Sequence, residues 1–392
     1  MPERLPALLL GGTNLVRALG LAGIPVIVAS NDPDEPALAS RYCTQRCRLP
    51  PLSRPEAVID ALLDLSARLF ARYGRRIPLF YGNDDWLDLV HAHRDRLDGH
   101  FLMVLNDASI AQALTEKSRF AALCAERGLP MPAALQWDAL EQWNHEVLVK
   151  PRVKVDWHDS PLHERLFADG KALVLANGAT AKANPLVERH RHQLLFQEFI
   201  PGDDRNLVSF HGFADENGRV LQSFTGRKLR TRPPITGESA YIELIRDPGL
   251  SVFGRQVAER IGLRGPFKID FKQDPRDGRL VVLEVNARCT LWNYLGAVNG
   301  VNIMKTAYDY LLERRLPEPR EYGTRYRWID ARHDMLGMWA GSLLDGPRVH
   351  NVFSWNDPAP FVALWASRFF RRGRRAAGKV LGMLGLWRST AS

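Results

Sequence analysis

Four polar residues lie in two segments whose composition predicts neighbouring strands of a hairpin. Asp270 lies in the first segment, and Glu284, Asn286 and Arg288 end the second. Because alternate side chains of a strand point to one face, Glu284, Asn286 and Arg288 should lie together. Carboxylate and amide oxygens suit Mg²⁺, which fills its other positions with water and phosphate. Arg288 adds a guanidinium that can donate two parallel hydrogen bonds to a phosphoryl or carboxylate group. The pattern therefore predicts a metal and phosphate site.

The alternative for this set is a solvated sheet face with incidental charges. The acids lie within apolar strands, however, where an unpaired charge is costly unless a metal ion or an arginine compensates it. The sequence therefore favours the metal site.

Two lysines are candidates for binding an anion. Lys150 closes the apolar run 146–151, where its ammonium can reach an anionic ligand, and Lys117 lies on the preceding predicted helix. The alternative for Lys150 is an edge lysine whose charge reaches solvent, and for Lys117 an exposed helical lysine. The spacing alone does not decide between these interpretations.

A strand that runs into an acidic, glycine-ended turn spans Phe196–Gly202. Such a linker can offer backbone groups to an adenine edge and an acid to ribose hydroxyls. The alternative is a plain strand followed by a turn.

The elements that must position these residues fall into two groups. The first thirty residues read as strand, Gly11-Gly12 turn, helix and second strand, which is a βαβ unit and implies a parallel sheet. Gly11-Gly12 lacks the G-x-G-x-x-G spacing of a dinucleotide fold. A helix over 108–127 is predicted next, with Asp107 as its N-cap and Gly128 as its stop.

Alternating strands follow this helix, and turn signals at 216–218 and 275–278 predict two hairpins. We therefore expect an α/β chain in which an N-terminal parallel βαβ domain (1–107) precedes an α+β domain with antiparallel sheets (108–316). Residues 317–392 form a C-terminal extension with a basic amphipathic tail.

Composition restricts the class of protein. Hydrophobic residues make up 45% and charged residues 25% of the 392 residues, as in globular proteins. The four cysteines show no paired metal spacing and are predicted to be reduced thiols. No stretch approaches a membrane span, and no leader is recognised, so a cytoplasmic location is expected. The net charge of +9 is mostly local to the C-terminus, so nucleic-acid binding is not expected.

The order of these motifs resembles the ATP-grasp superfamily over roughly residues 115–315. Within it, the chain looks closest to the carbamoyl-phosphate-synthase-like and D-aspartate-ligase-like carboxylate–amine ligases. The Gly11-Gly12-Thr13 unit is similar to the domain that precedes the ATP-grasp domain in that family. The resemblance implies a ligase that uses Mg-ATP, with Mn²⁺ as an alternative ion, to convert a small-molecule carboxylate into an acyl phosphate, which an amine or similar nucleophile then attacks.

The resemblance also implies roles for individual residues that bind the nucleotide. Lys117 and Lys150 would contact the ATP phosphates, and Asp203 or Asp204 would bind the ribose. The adenine linker would be lined by Gln197, Glu198 and Ile200.

Further implied roles concern the metal and the transferred group. Asp270, Glu284 and Asn286 would bind magnesium, and Glu284 would bridge two ions. Arg288 would steady the transferred phosphoryl group. The basic pair Arg227 and Lys228 would reach the γ-phosphate or the substrate, with a charged turn as the alternative.

The chain departs from the family pattern after Lys150, where a glycine-rich loop normally covers the phosphates but residues 151–169 contain no glycine. Either Arg152 and Lys154 replace the backbone amides, or phosphate closure and turnover are lost. The second option leaves an ATP-binding regulatory protein as the alternative function.

Three further segments carry weaker expectations. Asn83, Asp84 and Asp85 are candidates for the substrate side, with a solvated turn as the alternative. Residues 236–239 resemble a mobile substrate loop, with a plain loop as the alternative. Residues 361–387 combine aromatic and basic residues, a composition that can lie in the interface of an anionic membrane as a peripheral contact. The alternative is a C-terminal helix packed on the catalytic body. The sequence does not predict the oligomeric state.

Overall fold

The structure is a computed structural model of the chain, and it describes residues 4–152, 165–167, 172–318, 320–330 and 346–367. Three sheets organise these residues. None of the helices in the described ranges is both long enough and apolar enough to cross a membrane.

The N-terminal sheet has four parallel strands in the spatial order β3-β2-β1-β4. They are β1 (Ala7–Leu10), β2 (Val26–Ser30), β3 (Cys43–Arg48) and β4 (Leu79–Tyr81). The accompanying helices are α1 (Thr13–Leu21), α2 (Pro55–Tyr73), α3 (Asp84–Ala92) and α4 (Arg94–Leu97). Between β1 and α1, Gly11 and Gly12 have φ of 73° and 99°, values that glycine adopts without strain. The predicted βαβ unit is confirmed.

Two helices, α5 (Ala108–Thr115) and α6 (Lys117–Glu126), replace the single predicted helix over 108–127. The chain is extended at Glu116, so the single-helix prediction was wrong. Asp107 is the N-cap residue of α5, as predicted, but its carboxylate pairs with Arg264 at 2.5 Å and caps no backbone N–H of the helix. A tertiary ion pair thus competes with the local capping pattern, and the break makes Lys117 the first residue of α6.

The small sheet is antiparallel, in the order β5-β8-β6-β7. Its strands are β5 (Ala134–Leu135), β6 (Val147–Pro151), β7 (Leu173–Leu175) and β8 (Leu194–Glu198). Two short helices, α7 (Gly178–Ala183) and α8 (Pro185–Arg189), pack on it. The sheet carries the predicted Lys150 strand next to the predicted linker strand.

The central sheet has seven strands in the order β13-β12-β9-β10-β11-β14-β15. They are β9 (Leu207–Ala214), β10 (Val220–Arg232), β11 (Glu238–Ile245), β12 (Gly265–Gln273), β13 (Leu280–Asn286), β14 (Arg327–Ile329) and β15 (Arg348–His350). The β9–β10 and β12–β13 hairpins confirm both predicted turns. All pairs are antiparallel except β14 with β15.

Helices cover both faces of the central sheet. One face packs against α9 (Pro248–Ile261) in a core that includes Phe210 and Phe271. The other face packs against α10 (Trp292–Val298) and α11 (Ile303–Glu313), and α1 of the N-terminal sheet joins this second core. A shared core therefore spans the predicted boundary at residue 107. The predicted cysteine state agrees with the structure, in which all four thiols are free.

Candidate active site

The central sheet places the predicted acids opposite each other on neighbouring strands. The register of β12 and β13 pairs Asp270 with Glu284 and Lys268 with Asn286. Directly opposite residues in an antiparallel pair lie on the same face, where their side chains interact. The two carboxylates, the Lys268 ammonium and the Asn286 amide therefore lie together in one patch on one face of the sheet.

Asp270 lies at the centre of this patch. Its Oδ2 accepts a hydrogen bond from Lys268 Nζ at 2.6 Å and lies 3.8 Å from Lys228 Nζ. Burial raises the pKa of this carboxyl, but the two ammonium groups outweigh burial and hold the pKa below its ordinary value. Within the described residues, Asp270 Oδ1 is buried without a hydrogen-bond partner. An ionised carboxylate with one unused oxygen suits a cation.

The donor set fits magnesium as an open site. Asp270, Glu284 and Asn286 offer hard oxygen donors, and Mg²⁺ keeps several positions for water and phosphate. Among the described residues, no group of three His, Cys, Asp or Glu side chains is placed to hold a metal ion. A Mg²⁺ ion at Asp270 and Glu284 would take its remaining positions from water and phosphate.

Lys150 connects the small sheet to this patch. Its Nζ donates to Gln197 Oε1 at 3.4 Å, across the β6–β8 pair. Burial lowers the pKa of Lys150, and the charge of Glu284 opposes this shift. The Lys150 ammonium on the small sheet and the Glu284 carboxylate on the central sheet therefore attract each other. Lys117 lies at the same end of β6, where its Nζ donates to the Pro151 carbonyl at 2.7 Å.

The predicted adenine linker is held by contacts to its flanks. Gln197 Nε2 donates to the Pro132 carbonyl at 3.4 Å, and Ile200 is buried. Glu198 accepts from the Ala133 backbone N–H at 3.1 Å and pairs with Arg279 at 2.8 Å. The Glu198 carboxylate therefore ties the linker to the β12–β13 hairpin. The Glu198 backbone N–H is also occupied, since it donates to the Ala133 carbonyl at 2.8 Å.

The two ribose candidates differ in how their carboxylates are used. Asp204 accepts three hydrogen bonds of 2.7 Å, from the backbone and hydroxyl of Thr231 and the backbone of Ile235. Asp203 accepts from the Arg205 backbone N–H at 2.8 Å. Asp204 thus holds the loop after β10 in place. The Asp203 carboxylate accepts fewer hydrogen bonds than that of Asp204. The preceding Gly202 and Asp203 carbonyls are held by Lys272 Nζ.

Arg288 joins the N-terminal sheet to the site. Its Nε donates to Asp84 Oδ1 at 2.6 Å, and its Nη2 donates to Asn286 Oδ1 at 3.2 Å. Asn83 accepts the Trp86 backbone N–H at 2.9 Å as the N-cap of α3. Of the predicted substrate-side residues, Asp84 therefore reaches the site, while Asn83 starts the helix that positions it.

Arg227 and Lys228 lie on opposite faces of the central sheet. Lys228 shares the face of Asp270, and Arg227 aligns with Val208 on the face that packs against α9. Adjacent side chains of a strand point in opposite directions. The structure therefore brings Lys228, but not Arg227, to the acids.

Sequence reasoning assigned no role to several residues of this patch. His211 stacks on Phe224 with ring centroids 4.5 Å apart, contacts the Trp292 ring at 4.8 Å, and pairs with Ser209 Oγ at 3.1 Å. Burial, together with the charge of Lys268, holds the pKa of His211 well below its ordinary value. The Lys268-Ile269-Asp270 spacing could have identified Lys268, because residues two apart share a strand face. Nothing local marks His211.

Comparisons with known proteins agree with this architecture. No family model matches the sequence. The chain is 23% identical over 309 residues to a D-aspartate ligase of Enterococcus faecium, which covers 75% of this chain and 71% of that protein.

Solved structures share the fold at low sequence identity. A biotin carboxylase of Campylobacter jejuni in complex with β,γ-ATP superposes with a TM-score of 0.60 at 13% identity, over 83% of this chain and 74% of that chain. The biotin carboxylase domain of a Hydrogenobacter thermophilus 2-oxoglutarate carboxylase, bound to MgADP and bicarbonate, gives 0.58 at 14% identity, with the same coverage. An L-amino acid ligase of Bacillus licheniformis gives 0.53 at 16% identity, over 79% and 74%.

The chain has the fold of these solved structures, which confirms the predicted α/β fold class. The sequence similarity to a D-aspartate ligase confirms the predicted resemblance to the carboxylate–amine ligases. Relatives of this fold bind MgADP and an ATP analogue, as the solved complexes show.

Proposed function

We propose that the protein is an ATP-dependent carbon–nitrogen ligase that activates a small-molecule carboxylate as an acyl phosphate for attack by an amine. The observation that carries this proposal is the buried Asp270, whose Oδ1 has no partner among the described residues and which faces Glu284 beside Lys228 and Lys268. This arrangement suits a nucleotide phosphate bound with a divalent cation.

The cations of the site have a common role in this mechanism. Lys150, Lys228 and Lys268 surround the acids, so they can neutralise the oxygens of a γ-phosphoryl group. Magnesium, bound by Asp270, Glu284 and Asn286, would supply Lewis-acid neutralisation of the same charge. Phosphoryl transfer of this kind needs positioning and electrostatic stabilisation but no covalent enzyme residue.

The reaction divides into two transfers. A substrate carboxylate oxygen attacks the γ-phosphorus in line, and the bond to the ADP oxygen breaks to give an acyl phosphate. The amine nitrogen then attacks the acyl carbon, phosphate leaves, and the nitrogen loses a proton to form the amide. Arg288, held between Asp84 and Asn286, is placed to steady the transferred group.

The similarity to D-aspartate ligase supports an amino acid as the amine substrate. We propose a cytoplasmic location because the reaction needs ATP. Peripheral contact with an anionic membrane is a separate proposal, because it rests on surface residues outside this site.

The test is an assay of ADP and phosphate release by the purified full-length protein with ATP and Mg²⁺. D-Aspartate and other amino acids are supplied with a panel of carboxylates, and Mn²⁺ replaces Mg²⁺ in a parallel series. We expect release that requires both substrates, together with an amide product detected by mass spectrometry. ATP binding without ADP release in any combination would instead support a regulatory ATP-binding protein. Glu284→Gln is the control for contaminating ATPases.

A further inference from the structure

An exposed aromatic patch lies on the C-terminal part of the described chain. We define it by Phe353, Trp355, Phe361, Val362 and Trp365. The Phe353 ring contacts Trp355 at 4.9 Å and Phe361 at 5.4 Å, and Phe361 contacts Trp365 at 6.0 Å. Trp355 is 87% exposed and Val362 is 62% exposed. Contiguous apolar surface of this kind usually marks an interaction site.

The patch is anchored on both sides of Trp355 to helix α1 and to the connection between β2 and β3. Asp357 is buried, where it pairs with Arg17 at 2.9 Å and accepts from Ser40 Oγ at 2.8 Å. Arg17 Nη2 also donates to the Val352 carbonyl at 2.6 Å. The exposure of Trp355 is therefore a property of an anchored segment and not of a fraying end.

The sequence that follows the patch is basic. After Asp357 the sequence contains no Asp or Glu, so most of the net charge of +9 is concentrated there. The basic residues of this stretch are Arg368, Arg371, Arg372, Arg374, Arg375, Lys379 and Arg388. They lie outside the described residues, as does most of the predicted 361–387 segment. Arg41 adds a described guanidinium, which donates to the Asn356 carbonyl at 3.0 Å.

We propose that the aromatic patch and the basic residues that follow it dock the protein on a bilayer that contains anionic phospholipid. Tryptophan favours the membrane–water interface, phenylalanine buries in the acyl region as part of an apolar face, and arginines are attracted to anionic headgroups. This proposal does not depend on the ligase activity, because none of these residues belongs to the candidate active site.

Two other partners fit the same observations less well. A second copy of the chain would bring an equally basic C-terminal sequence to the interface, and like charges repel. Nucleic acid would engage the arginines, but aliphatic residues such as Val362 and Leu381 have no partner on a phosphate backbone. A lipid interface takes both the charged and the apolar residues.

The experiment is co-sedimentation of the full-length protein with vesicles of phosphatidylcholine alone or with 30% phosphatidylserine. Three variants are compared with the unmodified chain. The first combines Trp355→Ser with Val362→Ser, and the second combines Arg371→Gln, Arg372→Gln, Arg374→Gln and Arg375→Gln. The third, Phe70→Ser, is the matched control. Phe70 is half exposed on α2, so its change removes a comparable surface aromatic away from the patch. Thermal melting and ATP binding establish that each variant is folded.

We expect the unmodified chain to bind the anionic vesicles at least tenfold more tightly than the neutral ones. Both patch variants should weaken that binding at least tenfold, and Phe70→Ser should leave it unchanged. Equal binding to both vesicle types would overturn the proposal, as would unchanged binding by the Trp355→Ser, Val362→Ser variant. Tighter binding to a DNA duplex than to anionic vesicles at the same salt concentration would assign the surface to nucleic acid.

Discussion

The buried carboxylate and ammonium groups of the candidate site stabilise one another's charged forms. Lys268 and Lys228 keep Asp270 ionised, while burial alone would favour its neutral form. The same burial lowers the pKa of Lys268, and Asp270 opposes that shift. Removing one member of such a set leaves the others uncompensated, so conservative substitutions are the informative ones.

Glu284→Gln and Asn286→Asp test the metal assignment with little change of volume. Glu284→Gln removes a charged oxygen donor, and Asn286→Asp adds a second negative charge opposite Lys268. We expect turnover at limiting magnesium to fall roughly 10- to 100-fold in each variant, by analogy with other losses around metal ligands. Steady-state assays over a magnesium series measure this, and the melting temperature reports the fold. Normal turnover by both variants would remove the assignment.

Lys150 should contribute to ATP binding in a pH-dependent way. Lys150→Ala removes a charge-assisted contact of about 1.5 to 3 kcal/mol, which weakens ATP binding roughly 10- to 150-fold. Because burial lowers the pKa of Lys150 in the free protein, its ammonium loses the proton at a lower pH than an exposed lysine does. Binding to phosphate requires the charged form, so affinity should fall as the pH rises through that lowered pKa.

Calorimetry with a non-hydrolysable ATP analogue between pH 7 and pH 10 measures both effects. Lys150→Arg is the matched control, because a guanidinium keeps its proton throughout this range. An affinity that declines with pH equally in the unmodified and Lys150→Arg proteins would assign the titration to another group.

One face of strand β10 both supplies a charge to the site and accommodates a buried aromatic ring. Lys228 joins the acids, whereas Gly226, two residues earlier on the same face, leaves space for the Trp292 ring of α10. A Cβ atom at Gly226 would lie 2.3 Å from Trp292 Cζ3. The ring in turn contacts His211 and lies beneath Lys268 Nζ at 5.6 Å. The packing of α10 on β10 therefore positions the floor of the site.

Gly226→Ala should disturb this packing. The added methyl group overpacks the contact with a buried indole, which costs roughly 1 to 3 kcal/mol of unfolding free energy. Chemical denaturation measures the loss. Gly249→Ala is the matched control, since a Cβ atom there meets only Asp247 Oδ1, at 3.5 Å. Equal stability of the two variants would show that Trp292 can move aside.

The molecule as a whole is joined by buried polar contacts between distant parts of the chain. Arg17 of α1 and Asp357 are each about 1% exposed, and Asp357 also accepts from the Arg41 backbone N–H at 2.8 Å. Asn14 of α1 contacts both Asn351 and the Trp328 indole. The first helix is thus the common support for β14 and for the segment that carries the aromatic patch.

Asp357→Ala should destabilise the protein by about 3 to 5 kcal/mol, because it leaves the Arg17 guanidinium buried and uncompensated. Chemical denaturation of the full-length protein measures this. The double variant Arg17→Met, Asp357→Leu should recover much of the loss, since an apolar pair leaves no buried charge. A single variant as stable as the unmodified chain would show that water reaches Arg17.

Local patterns in the sequence were sufficient to predict many of the individual strands and turns. Glycine turns and apolar runs predicted the βαβ unit and both hairpins, and strand alternation placed Glu284 and Asn286 on one face. The same alternation could have separated Arg227 from Lys228. The helix break at Glu116 was missed. The pairing of the Asp107 carboxylate with Arg264 was missed because a local capping pattern includes no contact between residues distant in sequence.

The assembly of the site depended on packing between elements that are far apart in sequence. Arg288 meets Asp84 across 204 positions, and Lys150 lies in the electrostatic environment of Glu284 on another sheet. Hydrophobic periodicity encodes which face of an element is buried, but many arrangements bury the same faces. The tertiary fold selects the arrangement in which the charges are mutually compensated, and it thereby decided that Lys228, Lys268 and His211 surround Asp270.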